Sequence, residues 1–103
     1  MNSDVLIEVT IFKIKAGVDQ AQFLVADAAF TEALKAMGGF IKRDLLQGEN
    51  DVWIDMIHWK TQADAQHSAE AIASHPEAQA FIALLDNTYD SPMLYLKPAQ
   101  SYK

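Results

Sequence analysis

Two carboxylates stand where strands ought to be apolar. Glu8 falls in residues 5–15, where Val5, Ile7, Val9 and Ile11 alternate with Leu6, Glu8, Thr10, Phe12 and Ile14. Asp55 falls in residues 52–60, where Trp53, Asp55, Ile57 and Trp59 alternate with Val52, Ile54, Met56 and His58. An ionised carboxylate on such a face is costly unless it is paired or hydrated. One reading puts Glu8 and Asp55 near strand ends or in ion pairs with Lys42, Arg43 or Lys13. The other makes them pocket carboxyls of raised pKa, able to take a proton from a phenol or hydroquinone. A substrate turned into an electron-rich anion in a dry pocket could then meet O2 directly. Thr10 interrupts the same face as Glu8 and joins the candidate pocket.

Three histidines could serve as acid or base near neutral pH. His58 lies on the aliphatic side of its strand and reads as an interior or interface group. His75 precedes Pro76 and reads as an exposed neighbour of a helix start. His67, inside the second helix, is the preferred candidate of the three. Trp59 closes the same strand as Asp55 and reads either as packing under a helix or as a wall for a planar ligand. Other chemistries find no support. The chain has no cysteine, which removes disulfides, thiolate nucleophiles and zinc–thiolate sites. The histidines have no metal-ligand spacing, so no metal is expected. The glycines all read as turns rather than as a phosphate loop.

The elements that must position these groups follow from periodicity. Residues 5–15 and 52–60 alternate with period 2 and are strands, each largely apolar on both faces. Strands of that kind are covered on both faces, one by a helix layer and the other, most economically, by a second subunit. Asp19 with Gln22 starts a helix carrying Phe23, Ala26, Phe30, Leu34 and Met37 at spacings of three and four. Gly38-Gly39 ends it. Phe40–Gln47 is a strand with Ile41 and Leu45 on one face and Phe40 and Leu46 on the other, and residues 48–51 form a hairpin loop. Thr61 with Asp64 opens an alanine-rich helix running to about residue 73. Ser74 caps a short further helix with Pro76 in its first turn, Glu77 reaching back, and Phe81 in its body. Residues 92–97, with proline at each flank, form a last strand at an edge. The order β-α-β-β-α-β with one central hairpin is the ferredoxin-like plan. Its strand order 4-1-3-2 makes the two double-faced strands central.

Composition bounds the partners. The 103 residues make one domain spanning 1–103. The balance of 8 basic against 14 acidic residues argues against nucleic acid or an anionic membrane surface. No apolar run reaches a membrane span, and Met1-Asn2-Ser3-Asp4 lacks the basic start of a secretion signal. A cytoplasmic protein is expected.

The third strand ending in Trp59-Lys60-Thr61, the alanine-rich helix with His67, the break at Ser74-His75-Pro76 and the following Phe81 together resemble the antibiotic biosynthesis monooxygenase-like group of the dimeric α+β barrel superfamily. The resemblance implies a homodimer whose two four-stranded sheets close into a barrel, with a small-molecule pocket between sheet and helices. It implies a small oxygenase or related oxidoreductase with no bound cofactor, acting on an aromatic or quinol-like ligand. His67 and Asp55 would then be catalytic, with Trp59, Glu8, Thr10, Phe23 and Phe81 binding substrate. The haem-degrading branch of the group is disfavoured: the first strand offers Thr10 and no Asn, and the second helix holds no Trp. The alternative is a non-catalytic dimeric binding or housekeeping domain of the same fold. A pocket filled by Phe23, Phe30, Trp53 and Phe81 would favour it.

Overall fold

The computed structural model describes residues 5–103; the reading of Met1–Asp4 as lacking a secretion signal lies outside them. The elements are β1 (Leu6–Phe12), α1 (Gln20–Lys35), β2 (Phe40–Gln47), β3 (Trp53–Trp59), α2 (Gln62–Ala71), a single 3-10 turn (Ile72–Ser74), α3 (Pro76–Ile82) and β4 (Met93–Leu96). All four strands form one sheet in the order β2-β3-β1-β4, with every neighbouring pair antiparallel. Read from the other edge, this is the 4-1-3-2 order expected from the sequence. Among the described residues, no helix is long and apolar enough to cross a membrane.

The helix starts follow the local chemistry. Asp19 Oδ2 accepts a hydrogen bond from the Gln22 backbone N–H at 3.3 Å. Thr61 Oγ1 accepts from the Asp64 N–H at 3.1 Å, which caps the helix, and its hydroxyl donates to Asp64 Oδ2 at 2.9 Å. Gly38 and Gly39, at φ +87° and +77°, end α1 in a left-handed conformation that favours glycine.

Four local readings need correction. The first strand stops at Phe12 because residues 13–15 pair elsewhere: Lys15 N–H donates to Leu84 O and Asp86 N–H to Lys13 O. The register of β2 slips between Phe40 and Lys42. Ile41 is bulged and exposed, and Phe40 and Leu45, expected on opposite faces, both pack against the core. Ser74 does not cap α3; its hydroxyl donates to Ala71 O at 2.9 Å within the 3-10 turn. His75 takes the cap position without a side-chain bond, so Pro76 at the first helical position carries the start signal. Finally, α2 ends at Ala71, and the 3-10 turn takes up residues 72–74.

Among the described residues, helices cover one face of the sheet. Leu6, Phe12, Trp53, Ile57 and Trp59 point under the helices and meet Phe23, Phe30, Leu34, Ala65, Ala78 and Phe81 in one core. Its centre is a pile of rings: Phe81 lies 4.6 Å from Phe30, stacked, with Phe23 and Phe12 at 5.4 and 6.0 Å. Each such ring contributes about 1.5–3 kcal/mol by burial. Ile7, Val9, Ile11, Ile54, Met56, Leu94 and Leu96 lie on the opposite face, which none of the described elements covers. The covered face is therefore the one interrupted by Glu8, Thr10 and Asp55. Desolvation of those groups is the consequence.

Candidate active site

Strand pairing brings the interrupting residues together. Glu8 of β1 lies opposite Ile57 of β3, and Thr10 lies opposite Asp55. Glu8 and Asp55 are thus diagonal neighbours on one face. The helices do not seal over them completely. A cavity of about 150 Å³ remains above the sheet, lined by Glu8, Thr10, Asp55 and Ile57 from the strands and by Phe30, Leu34, Ser68, Ile72 and Phe81 from the helical layer. Ile82, Leu85 and Met93 complete its wall. Ile82 and Met93 are also exposed, so they stand at its rim. Larger clefts lie on the surface. One of about 560 Å³ runs between α2 and Tyr95, past Gln62, Gln66 and Glu70. It lacks the buried polar groups that distinguish the small cavity.

The two carboxyls are treated differently by the fold. Asp55 accepts a 2.8 Å hydrogen bond from Nε of Arg43, whose side chain is only 2 % exposed. The same guanidinium bonds Asp27 and, at 2.9 Å, Thr31 Oγ1. Its plane also lies over the rings of Phe30 and Phe81, at 4.9 and 5.3 Å. Burial raises the Asp55 pKa, and the Arg43 charge and hydrogen bond oppose the rise without cancelling it, while the charge of Asp27 adds to it. Among the described residues Glu8 has no such cation, and its side chain accepts a hydrogen bond from Nε1–H of Trp59 at 3.0 Å. Burial raises its pKa, the Trp59 hydrogen bond opposes the rise, and the negative charge of Asp55 adds to it. Tyr95, opposite Glu8 across β1 and β4, has its phenol pushed up by burial and by the charge of Glu8.

Four of the residues singled out from the sequence therefore meet at one cavity: Glu8, Thr10, Asp55 and Phe81. Trp59 is buried beneath them and holds Glu8 through its indole N–H instead of forming a wall. Phe23 is buried in the ring pile, 5.1 Å from Trp53 and 5.4 Å from Phe81, and does not line the cavity. His67 does not line the cavity: Ala65 and Ser68 are the buried positions of α2, and His67 turns to solvent. His75 is half-buried at the start of α3. His58 sits on the open face, its pKa lowered by burial and by Lys42, with Nδ1 buried and unbonded. The pairing of Asp55 with Arg43 is one of the alternatives the sequence left open. Asp27 and Thr31 were missed; their signal is a polar i, i+4 pair beside the Phe23–Phe30 stripe. Ser68 was missed as well, and its hydroxyl donates to Ala65 O at 2.7 Å. Among the described residues, no group of three or more His, Asp and Glu could hold a metal ion.

Solved structures share this architecture. The cofactor-independent oxygenase SnoaB from Streptomyces nogalater superposes with a TM-score of 0.77 at 18% identity, over 95% of this chain and 96% of that one. A proposed antibiotic biosynthesis monooxygenase from Bordetella bronchiseptica gives 0.76 at 11% identity, over 94% and 99% of the two chains. Another from Caulobacter crescentus gives 0.70 at 12% identity, over 96% and 93%. No protein-family model matches the chain, and no curated protein sequence matches it. The likeness is one of fold: this chain has the ferredoxin-like α+β fold seen in antibiotic biosynthesis monooxygenase-like proteins.

Proposed function

We propose that the protein is a small oxygenase of the antibiotic biosynthesis monooxygenase-like group, acting on a phenolic or quinol-type molecule without a resident cofactor, with Glu8 as the proton acceptor. The observation that carries this reading is the cavity itself, where a buried carboxyl without a cation partner faces space for a ligand. The fold shared with SnoaB supports it by analogy. In this scheme a substrate O–H bond breaks and its proton passes to the Glu8 carboxylate. The resulting anion transfers electrons to O2. For a quinol, one oxygen atom ends on a ring carbon and the other leaves as water, giving a hydroxyquinone; the substrate supplies the electrons. Trp59 keeps Glu8 in place and favours its ionised form. Asp55, held by Arg43, orients substrate instead of taking its proton, and His67 has no part.

Oxygen uptake against a panel of quinols and polyhydroxylated aromatics tests the proposal. The expected result is uptake above the uncatalysed rate, reduced about 10²-fold in Glu8→Gln, within the range for loss of a general base, and unchanged in His67→Ala. A folded protein inactive with the whole panel would remove the oxygenase reading. The second reading, a non-catalytic binding domain, draws on the ring pile of Phe12, Phe23, Trp53 and Phe81, which fills much of the space between sheet and helices.

We also propose a homodimer in which a second copy covers the open face of the sheet. Half-exposed Leu46, Leu94 and Leu96 lie there, together with the unbonded Nδ1 of His58. An apolar sheet face of this extent is ordinarily covered. A cytoplasmic location fits a chain without cysteine.

A further inference from the structure

We infer that the cavity selects a neutral, single-ring molecule carrying two hydroxyl groups, and rejects both fused-ring and anionic aromatics. This rests on the cavity being the substrate site. Its volume of about 150 Å³ is that in which a dry protein cavity takes up one benzene molecule. A second fused ring would need Phe30, Phe81 or Ile57 to move, and these belong to or border a tightly packed ring pile.

The polarity of the wall sets the substituents. Most donors near it are already engaged: Trp59 Nε1–H with Glu8, Ser68 Oγ–H with Ala65 O, and Arg43 Nε with Asp55; the Thr10 hydroxyl on the wall can donate or accept, and Arg43 Nη2 is buried without a partner. Arg43 itself lies behind Phe30 and Phe81, not among the lining residues. The carboxyl oxygens of Glu8 and Asp55 that are not used in these bonds are acceptors. Acceptors therefore outnumber free donors on this wall, and a ligand that brings hydrogen-bond donors matches carboxyl oxygens that would otherwise stay unmatched. Carboxylate or phosphate substituents would meet two carboxyls and, among the described lining residues, no cation. Diagonal positions such as those of Glu8 and Asp55 are roughly 7–8 Å apart. Both carboxyls stand on the same face, so one ring with two hydroxyls can offer a donor to each.

Anaerobic titrations of the full-length protein, followed by amide chemical shifts, test this with hydroquinone, 1,4-dihydroxynaphthalene, 4-hydroxybenzoate and toluene. Hydroquinone is expected to perturb Glu8, Thr10, Asp55 and Phe81 and to bind at least tenfold more tightly than the other three. Glu8→Gln should weaken it about tenfold. Ile82→Trp, at the exposed rim, should block it without touching a polar group. Equal or tighter binding of the naphthalene diol or of the benzoate overturns the inference, as does absence of hydroquinone binding to folded protein at millimolar concentration. Binding of hydroquinone without oxygen uptake in air would remove the oxygenase reading and leave this inference standing. Oxygenation of fused-ring quinols alone would do the reverse.

Discussion

In the proposed reaction Glu8 is the proton acceptor, and its behaviour with pH has a definite sign. Burial raises its pKa above 4.5 in the folded protein, so the folded state keeps the proton longer than the unfolded chain does. Its contribution to stability is complete below the unfolded value and is lost as pH rises through the folded one. Denaturant titrations from pH 4 upward should show that decline, and Glu8→Gln should flatten it. A general base works when ionised, so kcat/KM should rise with pH through the same raised value. Trp59→Phe removes a hydrogen bond to the ionised form, so the rise should move to higher pH, with kcat lowered less than in Glu8→Gln. An unshifted profile would mean that Trp59 only packs. These roles could not be assigned from residue type. Asp55 and Glu8 are equivalent interruptions in the sequence. The reach of Arg43 from β2 is what makes one a paired group and leaves the other free.

At the scale of elements, β2 and α1 are joined through Arg43, whose guanidinium bridges Asp55 and Asp27 and covers two rings. Arg43→Met would leave two carboxylates without their cation in or near the core. A loss of about 3–5 kcal/mol is expected, typical of breaking one side of a buried pair, measurable as a lower denaturation midpoint. Asp55→Asn, which keeps the shape, should cost less. The turn into β2 offers a second contrast. A Cβ on Gly39 would come within 2.1 Å of Asp64 Cγ, whereas one on Gly38 would meet nothing within 4 Å. Both have positive φ. Gly38→Ala should therefore cost about 1 kcal/mol for its backbone alone. Gly39→Ala should cost distinctly more, because Asp64 must leave its bond with Thr61. Equal losses in the two variants would show that α2 shifts freely. Capping and stop residues were legible in the sequence because these effects are local. The Ile41 bulge was not, since register depends on the partner strand.

At the scale of the whole molecule, the uncovered sheet face is the surface that the proposed second copy would cover. Sedimentation should give a dimer at micromolar concentration. Met56→Glu, placed mid-strand on that face, should produce a folded monomer with helix content intact. A wild-type monomer under the same conditions would remove the homodimer. Phe81→Ala tests the other face. Phe81 touches Phe12, Phe23 and Phe30, and its loss should cost about 3–5 kcal/mol while enlarging the cavity.

The sequence by itself determined the order of elements, the two central strands, the helix starts at Asp19 and Thr61, and the presence of polar groups on an otherwise apolar face. All of these follow from periodicity and short-range bonding. Only the tertiary structure decided which face the helices cover, that His67 turns to solvent while Ser68 turns inward, and that Arg43 neutralises Asp55 and not Glu8. Those outcomes depend on how helices rotate over the sheet and how far one long side chain reaches across it. Packing settles both, because burial makes each unmatched charge and each unfilled volume costly.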